Sequence, residues 1–410
     1  MLRPKRLRLA AVTGLLLAGM VTPAVAVVSQ ATRSKSTKTP AKTTVKSTST
    51  STSKSRTPSK SRRYRVRRVY NPWDTPTYAD STWGDSIDGE DLTVRRAAVQ
   101  ALGPYNGSIV VVDTSSGRIL SIVNQRLALM NAYQPCSTIK LYTSLAALSE
   151  GLIDKETMIR LGRRESMNLT VALARSNNPF FGRLGDSLGY ERVYYYGKML
   201  GLGEKAGLSI AGETPGSFPL DRPKGLSTGI MTAYGEGIGM TALQLGALVS
   251  AIANGGTLYY LQYPTSQDQL ENFTPVVKRR LDSLKPWIDE LKPGMMGSVD
   301  FGSGRRAALS YSEPLLGKTG TCTDGRTHLG WFAAFNEIGA SRLAVVVLMT
   351  GGAPVKGPVA AGIAGQVFRN LGDTQYFAQE HSLPVQTQVI PPAPAPISPA
   401  VSISQSSQDR

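Results

Sequence analysis

Histidine is nearly absent from this sequence: His328 and His381 are the only two in 410 residues. With so few imidazoles no metal site is expected, and His328, next to an apolar run, reads as a packed or cleft-edge residue. Cysteine is equally scarce, at two residues, Cys136 and Cys322. Acidic side chains are missing altogether from the first 68 positions, which carry 17 Lys and Arg and leave 29 basic against 29 acidic residues in the remainder. The overall charge of +17 therefore does not describe a basic folded face, and a nucleic-acid role is set aside. The excess suits loose attraction to an anionic membrane or cell-wall polymer, or a solubilising tether.

What is present divides the chain into four stretches. Residues 1–28 combine Arg3, Lys5, Arg6 and Arg8 with an uncharged apolar run from Leu9 to Val28 that contains Pro23 and ends near Ala24-Val25-Ala26. This has the outline of a signal peptide, with an uncleaved membrane anchor as the alternative. The protein is accordingly expected outside the cytoplasm, either periplasmic or secreted, or held at the inner membrane by its N-terminus. Residues 29–87 read as a basic Ser/Thr/Lys-rich disordered linker, most extreme over 29–68, because so little apolar surface cannot offset the entropy of ordering the chain. One globular body is expected over 88–372, followed by a Pro/Ala/Ser-rich disordered tail over 373–410.

Within the body, Asp88 to Leu102 has helical spacing with acidic residues in its first turn and Gly103-Pro104 at its stop. Ser108–Asp113 and Arg118–Val123 flank a polar turn and predict a β-hairpin. An amphipathic helix runs from Ser137 to Gly151, and an apolar, Ala-rich segment over Thr241–Asn254 predicts a buried helix ended by Asn254-Gly255-Gly256. Strands return at Pro314–Thr321, His328–Asn336 and Arg342–Thr350, before a last helix over Val359–Leu371. Strands at both ends of the body and helices between them predict an α+β fold: an antiparallel sheet flanked by helices, with an inserted helical subdomain and a cleft between the two.

Ser137-Thr138-Ile139-Lys140 places a hydroxyl and an amine on one helical face, where an unprotonated lysine can take the serine proton. Alone this means little, since Ser51-Thr52-Ser53-Lys54 in the linker has the same spacing and Ser137 could be an ordinary helix cap. Ser176-Asn177-Asn178 and Lys318-Thr319-Gly320 follow in chain order, and the trio is a recognised catalytic set. Taken singly, the second could be a turn and the third a phosphate loop. The phosphate-loop reading fails, because Ser312 stands where the first loop glycine is required.

With these motifs, and with Gly212–Gly216, Gly235–Ile238, Thr241, Gln244, Ala253–Gly256, Met295 and Gly302-Ser303-Gly304, the stretch from Gly107 to Leu371 resembles the penicillin-binding transpeptidase domain of the serine D,D-peptidase and β-lactamase-like superfamily. The resemblance implies a D,D-transpeptidase acting on D-Ala-D-Ala stem peptides of peptidoglycan through an acylated Ser137, with β-lactams as covalent inhibitors and no cofactor. Lys140 would be the base, Ser176 a proton relay, and Asn178 a ligand for the substrate amide. Lys318 would hold the Ser176 hydroxyl and attract the substrate carboxylate, Thr319 and Thr321 would donate hydrogen bonds, and Gly320 would let the substrate backbone approach. The backbone N–H groups of Ser137 and Thr321 would form the oxyanion hole.

If the motifs converge, Cys136 and Cys322 are close, and in an exported protein they invite a disulfide. Their offsets also resemble the bridge beside the active serine of certain class A carbapenemases. Three alternatives stay open. A β-lactamase would need a deacylating base, for which Glu213 is the candidate; a D,D-carboxypeptidase would differ only in the acceptor; and a non-catalytic β-lactam sensor would keep the fold without turnover.

Overall fold

The computed structural model describes residues 73–309, 314–378 and 388–389, all in the second of two units that divide at Arg67–Arg68. In chain order its elements begin with α1 (Leu92–Leu102), β1 (Gly107–Asp113), β2 (Ile119–Val123) and α2 (Gln125–Met130). A 3-10 turn (Cys136–Ile139) leads into α3 (Lys140–Ser149), the short pair β3 (Ile159–Arg160) and β4 (Ser166–Met167), α4 (Leu169–Arg175) and α5 (Asn178–Met199). Next come α6 (Thr228–Tyr234), α7 (Ala242–Ala253), β5 (Thr257–Tyr259), α8 (Gln267–Glu271), β6 (Val276–Arg280) and α9 (Lys285–Asp300). The last are β7 (Leu315–Asp324), β8 (Thr327–Asn336), β9 (Leu343–Gly351), α10 (Gly357–Asp373) and β10 (Gln388–Val389).

Five strands form an antiparallel sheet in the order β2-β1-β9-β8-β7. Side chains alternate across it, so on β9 Val345, Val347 and Met349 meet α1 and α10, while Ala344, Val346 and Leu348 join the helices inserted between β2 and β7. Burial on both faces explains why β1 and β9 read as unbroken apolar runs rather than alternating ones. Helix α7 is buried at every position, as a helix apolar on all sides must be. Its start is a capping box, with Gln244 N–H donating to the Thr241 hydroxyl and Thr241 N–H to the Gln244 side-chain oxygen. The same Gln244 amide donates to the carbonyls of Glu204 and Pro215 at 2.8 Å, tying the Gly212–Gly216 loop to the helix. The predicted α+β architecture, with its inserted helical part, is the one observed.

Three expectations need correction. The first helix begins at Leu92, not Asp88: the Asp91 carboxylate caps it by accepting from Thr93 and Val94 N–H, and Glu90 turns inward to accept from the Ser121 hydroxyl and Ile122 N–H. Residues 73–87, placed in the linker by composition, lie on the body. There Thr75 bonds Thr327 at 2.9 Å, Tyr78 pairs with Tyr105, and Asp85 accepts from Arg95 at 2.7 Å. Likewise the ordered body does not stop near 372, because Tyr376 is buried and its hydroxyl donates to Asp91 at 2.8 Å. The signal, residues 29–72 of the linker, His381 and nearly all of the tail lie outside the described residues. Among the described residues no helix is long and apolar enough to cross a membrane.

Candidate active site

Ser137 sits in the 3-10 turn that opens onto α3, and three contacts hold that turn against the edge strand β7. The sulfurs of Cys136 and Cys322 are joined, with their Cα atoms 5.5 Å apart. The Trp331 indole N–H, from β8, donates to the Gln134 carbonyl at 3.0 Å. Gly320 supplies the third, since a Cβ there would lie 3.1 Å from the Pro135 carbonyl oxygen, 3.2 Å from Thr138 and 3.0 Å from Trp331. This glycine therefore lets the strand approach the serine turn, a role distinct from the substrate contact expected of it. Cys136 itself has φ of 50°, in the left-handed region that non-glycine residues adopt only when their surroundings hold them there.

Ser176 and Asn178 occupy the corner between α4 and α5. Ser176 ends α4 in a left-handed conformation (φ 57°, ψ 44°), and Asn177 starts α5 by accepting from Phe180 N–H at 2.8 Å. Asn178 is thus the first residue of a helix, pointed back toward α3. Helix α9 and the loop after it brace the corner from behind: Gly294 lies against Leu173, and Ser303 N–H, beyond the helix end, donates to the Ala174 carbonyl at 3.1 Å.

Two lysines join these pieces. The Lys140 amine contacts the Ser137 hydroxyl at 2.6 Å, the Asn178 side-chain oxygen at 2.7 Å and the Ala233 carbonyl at 2.6 Å. The Lys318 amine contacts the Ser176 hydroxyl and the Thr319 carbonyl, both at 2.9 Å. Both lysines are 0 % exposed, and among the described residues no carboxylate pairs with either. Burial brings Lys318 down to about 7. Lys140 falls well below the lysine range through burial and then through the repulsion of Lys318. The partner set of Lys140 points the same way. A neutral amine has two N–H donors and one lone pair, and Lys140 has two carbonyl-type acceptors and one hydroxyl able to donate.

The motifs predicted to converge do so, but Thr319 and Thr321 are engaged within the protein. The Thr319 hydroxyl bonds Ser303 at 2.5 Å, and that of Thr321 accepts from Gly357 N–H at 2.7 Å. Glu213 is buried and accepts from Ala206 and Gly207 N–H, so its carboxylate closes a loop instead of facing a bound ester. His328 packs on Trp73, with ring centres 4.1 Å apart. Sequence reasoning missed the Ala233 carbonyl and the Trp331 indole; a backbone oxygen and a core aromatic carry no local signature. A cleft of about 700 Å³ is lined by Gln134, which precedes the serine turn, by Tyr234 and Glu236, and by Thr323 and Asp324 at the end of β7, among others.

The family model of the penicillin binding protein transpeptidase domain matches residues 107–371. Stage V sporulation protein D of Bacillus subtilis is 31% identical over 312 residues, covering 66% of this chain and 48% of that protein. Peptidoglycan D,D-transpeptidase FtsI of Escherichia coli is 22% identical over 312 residues, 65% of this chain and 52% of its own length. The chain thus spans about half the length of these relatives. A D,D-transpeptidase domain of a peptidoglycan glycosyltransferase from Eggerthella lenta shares the fold, with a TM-score of 0.56 at 20% identity, covering 70% of this chain and 82% of that one.

Proposed function

The chain belongs to the penicillin-binding protein transpeptidase family, and from that premise we propose that it is a serine D,D-transpeptidase acting on D-Ala-D-Ala stem peptides of peptidoglycan outside the cytoplasm. The observation that carries this reading is the Lys140 amine, 2.6 Å from the Ser137 hydroxyl and held there by the Asn178 and Ala233 oxygens; in its neutral form two N–H groups serve those oxygens and the lone pair is left for the hydroxyl proton. Ser137 attacks the carbonyl of the penultimate D-Ala and passes its proton to Lys140. The oxyanion that forms is held by the N–H groups of Ser137 and Thr321. The C–N bond to the terminal D-Ala then breaks, and that amine leaves with the proton Lys140 had taken, relayed through the Ser176 hydroxyl, which Lys318 orients; Lys140 is neutral again. Lys318 also draws the substrate carboxylate to its end of β7. An acceptor amine finally attacks the acyl ester and gives a proton to Lys140, which passes it to the Ser137 oxygen as the C–O bond breaks.

Supporting the transpeptidase over the β-lactamase alternative, Glu213 is committed to Ala206 and Gly207. We further propose that the catalytic unit spans residues 73–378, with an export signal or anchor and a basic linker before it. The decisive experiment combines labelled penicillin, a chromogenic cephalosporin and a stem-peptide mimic with an amine acceptor. Ser137 is expected to be labelled and Ser137→Ala not, the cephalosporin adduct is expected to persist, and cross-linked product is expected to form. Covalent labelling of the Ser137→Ala protein would refute the assignment.

A further inference from the structure

Helix α6 is short, with seven residues, and a helix of that length keeps its place only through tertiary contacts. Its last turn carries the Ala233 carbonyl that accepts from Lys140 at 2.6 Å. Whatever fixes α6 therefore fixes one of the two neutral oxygens on that amine. Toward α3, the Thr143 hydroxyl lies 3.2 Å from the Thr232 carbonyl. The helix then turns at Gly235, where a Cβ would lie 2.5 Å from Pro135, just before the serine turn.

Toward α5 the contacts lie at the other end of the helix. The Ser227 hydroxyl caps the first turn by accepting from Ile230 N–H at 3.1 Å. The Gly229 N–H, which has no partner within the helix, donates instead to the Asp186 carboxylate of α5 at 2.7 Å. Small residues permit this approach: a Cβ on Gly229 would lie 2.6 Å from both the Asp186 carboxylate and the Gly182 carbonyl, and one on Gly185 would overlap the Thr232 side chain. The Thr232 hydroxyl in turn lies 3.1 Å from the Phe181 carbonyl. Asp186 is exposed, and among the described residues it forms no ion pair. Its side chain neither fills the core nor neutralises a cation, which leaves the bond to Gly229 as its contribution.

We infer that Asp186 is a positioning residue for the acylation of Ser137: by holding the first turn of α6 to α5, it keeps the Ala233 carbonyl on the Lys140 amine. It acts through α6 and touches neither Ser137 nor the substrate. Helix α5 then governs both oxygens on Lys140, Asn178 directly from its first residue and Ala233 through Asp186, eight residues or about 12 Å further along. The inference rests on the proposed D,D-transpeptidase reading and adds to it a control on the base. Losing the carbonyl has a signed consequence. A carbonyl acceptor stabilises the ammonium more than the neutral amine, because hydrogen bonds to charged groups are the stronger. Without it Lys140 gives up its proton at lower pH, yet its lone pair is less well aimed at the Ser137 hydroxyl. The groups around Lys140 leave this sign unchanged: Lys318 of β7 repels it in every variant. The serine turn, α5 and α6 face it with the uncharged Ser137 hydroxyl, Asn178 side chain, Phe181 ring and Ala233 carbonyl.

The test follows Ser137 acylation by labelled penicillin across pH, each rate being normalised to the protein finally labelled, so that unfolded chains drop out. In Asp186→Ala the midpoint of the rise is expected about half a pH unit or more below that of the native chain. Its high-pH rate is expected to be down by about threefold to tenfold. Asp186→Asn, which keeps an oxygen for the Gly229 N–H, is expected to restore both. Asp186→Leu, which keeps the bulk and removes the acceptor, should match Asp186→Ala and takes its place if that protein does not fold. An unshifted midpoint in the variants without an acceptor, or an Asp186→Asn protein that behaves like them, would overturn the inference. If the native chain is not labelled at Ser137 at any pH, the transpeptidase reading itself fails, and the inference with it.

Discussion

Among the described residues no carboxylate holds the proton of the Lys140 amine, and besides Ser137 its partners are the neutral oxygens of Asn178 and Ala233. Replacing Asn178 by Asp keeps the shape and adds the missing charge. An anion within hydrogen-bond distance favours the ammonium and raises the lysine by about 1–3 pH units. The rise of Ser137 acylation with pH is therefore expected to move to higher pH in Asn178→Asp, and the rate at neutral pH to drop at least tenfold; a pH series with a labelled penicillin measures both. Lys318 makes a separate prediction about stability. The unfolded chain keeps this proton up to the ordinary value of 10.5, whereas the folded chain releases it at about 7. Between those limits the unfolded state binds more protons, so stability rises with pH from about 7 upward, and the penalty is fully present below 7. Urea midpoints across that range should climb in the native protein and climb less in Lys318→Met. The Ser137–Lys140 pairing was legible from spacing alone, but the lowered basicity was not, because it depends on the aromatic and aliphatic residues that dry the site.

Among the elements, the serine turn and β7 form the unit on which the proposed catalysis depends, for the two N–H groups proposed as the oxyanion hole, those of Ser137 and Thr321, sit one on each. The bond between Cys136 and Cys322 ties the residue before one donor to the residue after the other, and it closes a loop with a sequence separation of 186 residues. Cys136→Ser with Cys322→Ser is expected to cost about 2–5 kcal/mol of stability. Because Cys136 is no longer held at its left-handed φ, the acylation rate of the folded protein should fall as well. Thermal melting and penicillin acylation, each with and without reductant, check the two effects; an acylation rate unmoved by reduction would mean that Trp331 and Gly320 suffice to hold the turn. The strands and the buried α7 were foreseen from their periodicity. The 3-10 start of α3 was not, since the same residues fit an α-helix and only the contacts with β7 tighten it.

For the whole molecule, the question is where the folded body begins and ends. Composition placed the limits at 88 and 372, but Trp73 packs on His328, Asp85 pairs with Arg95, and Tyr376 reaches Asp91 at the start of α1. Residues 88–372 alone would leave Arg95 without Asp85 and Asp91 without Tyr376, so this chain is expected to be less stable than residues 73–378 by about 3 kcal/mol or more. Chemical denaturation of the two chains, at equal ionic strength, measures the difference. Periodicity failed here because residues 73–87 form no helix or strand, although two of the chain's four Trp lie among them. They are held by hydrogen bonds, by the ion pairs of Asp74 with Arg326 and Asp85 with Arg95, and by the aromatic contacts of Trp73 with His328 and Tyr78 with Tyr105, none of which leaves a periodic trace.

From the sequence alone one could read which functional groups exist, their order, and the apolar periodicities that force a two-faced sheet with helices inserted in it, because these are local properties of neighbouring residues. Tertiary structure alone decided the chemistry of the groups: it dried two lysines, paired one with two carbonyls and a hydroxyl, and turned a glycine into the contact between strand and serine. Those outcomes arise from residues far apart in the chain, and an amine's basicity and a carbonyl's role depend on what surrounds them rather than on what precedes them.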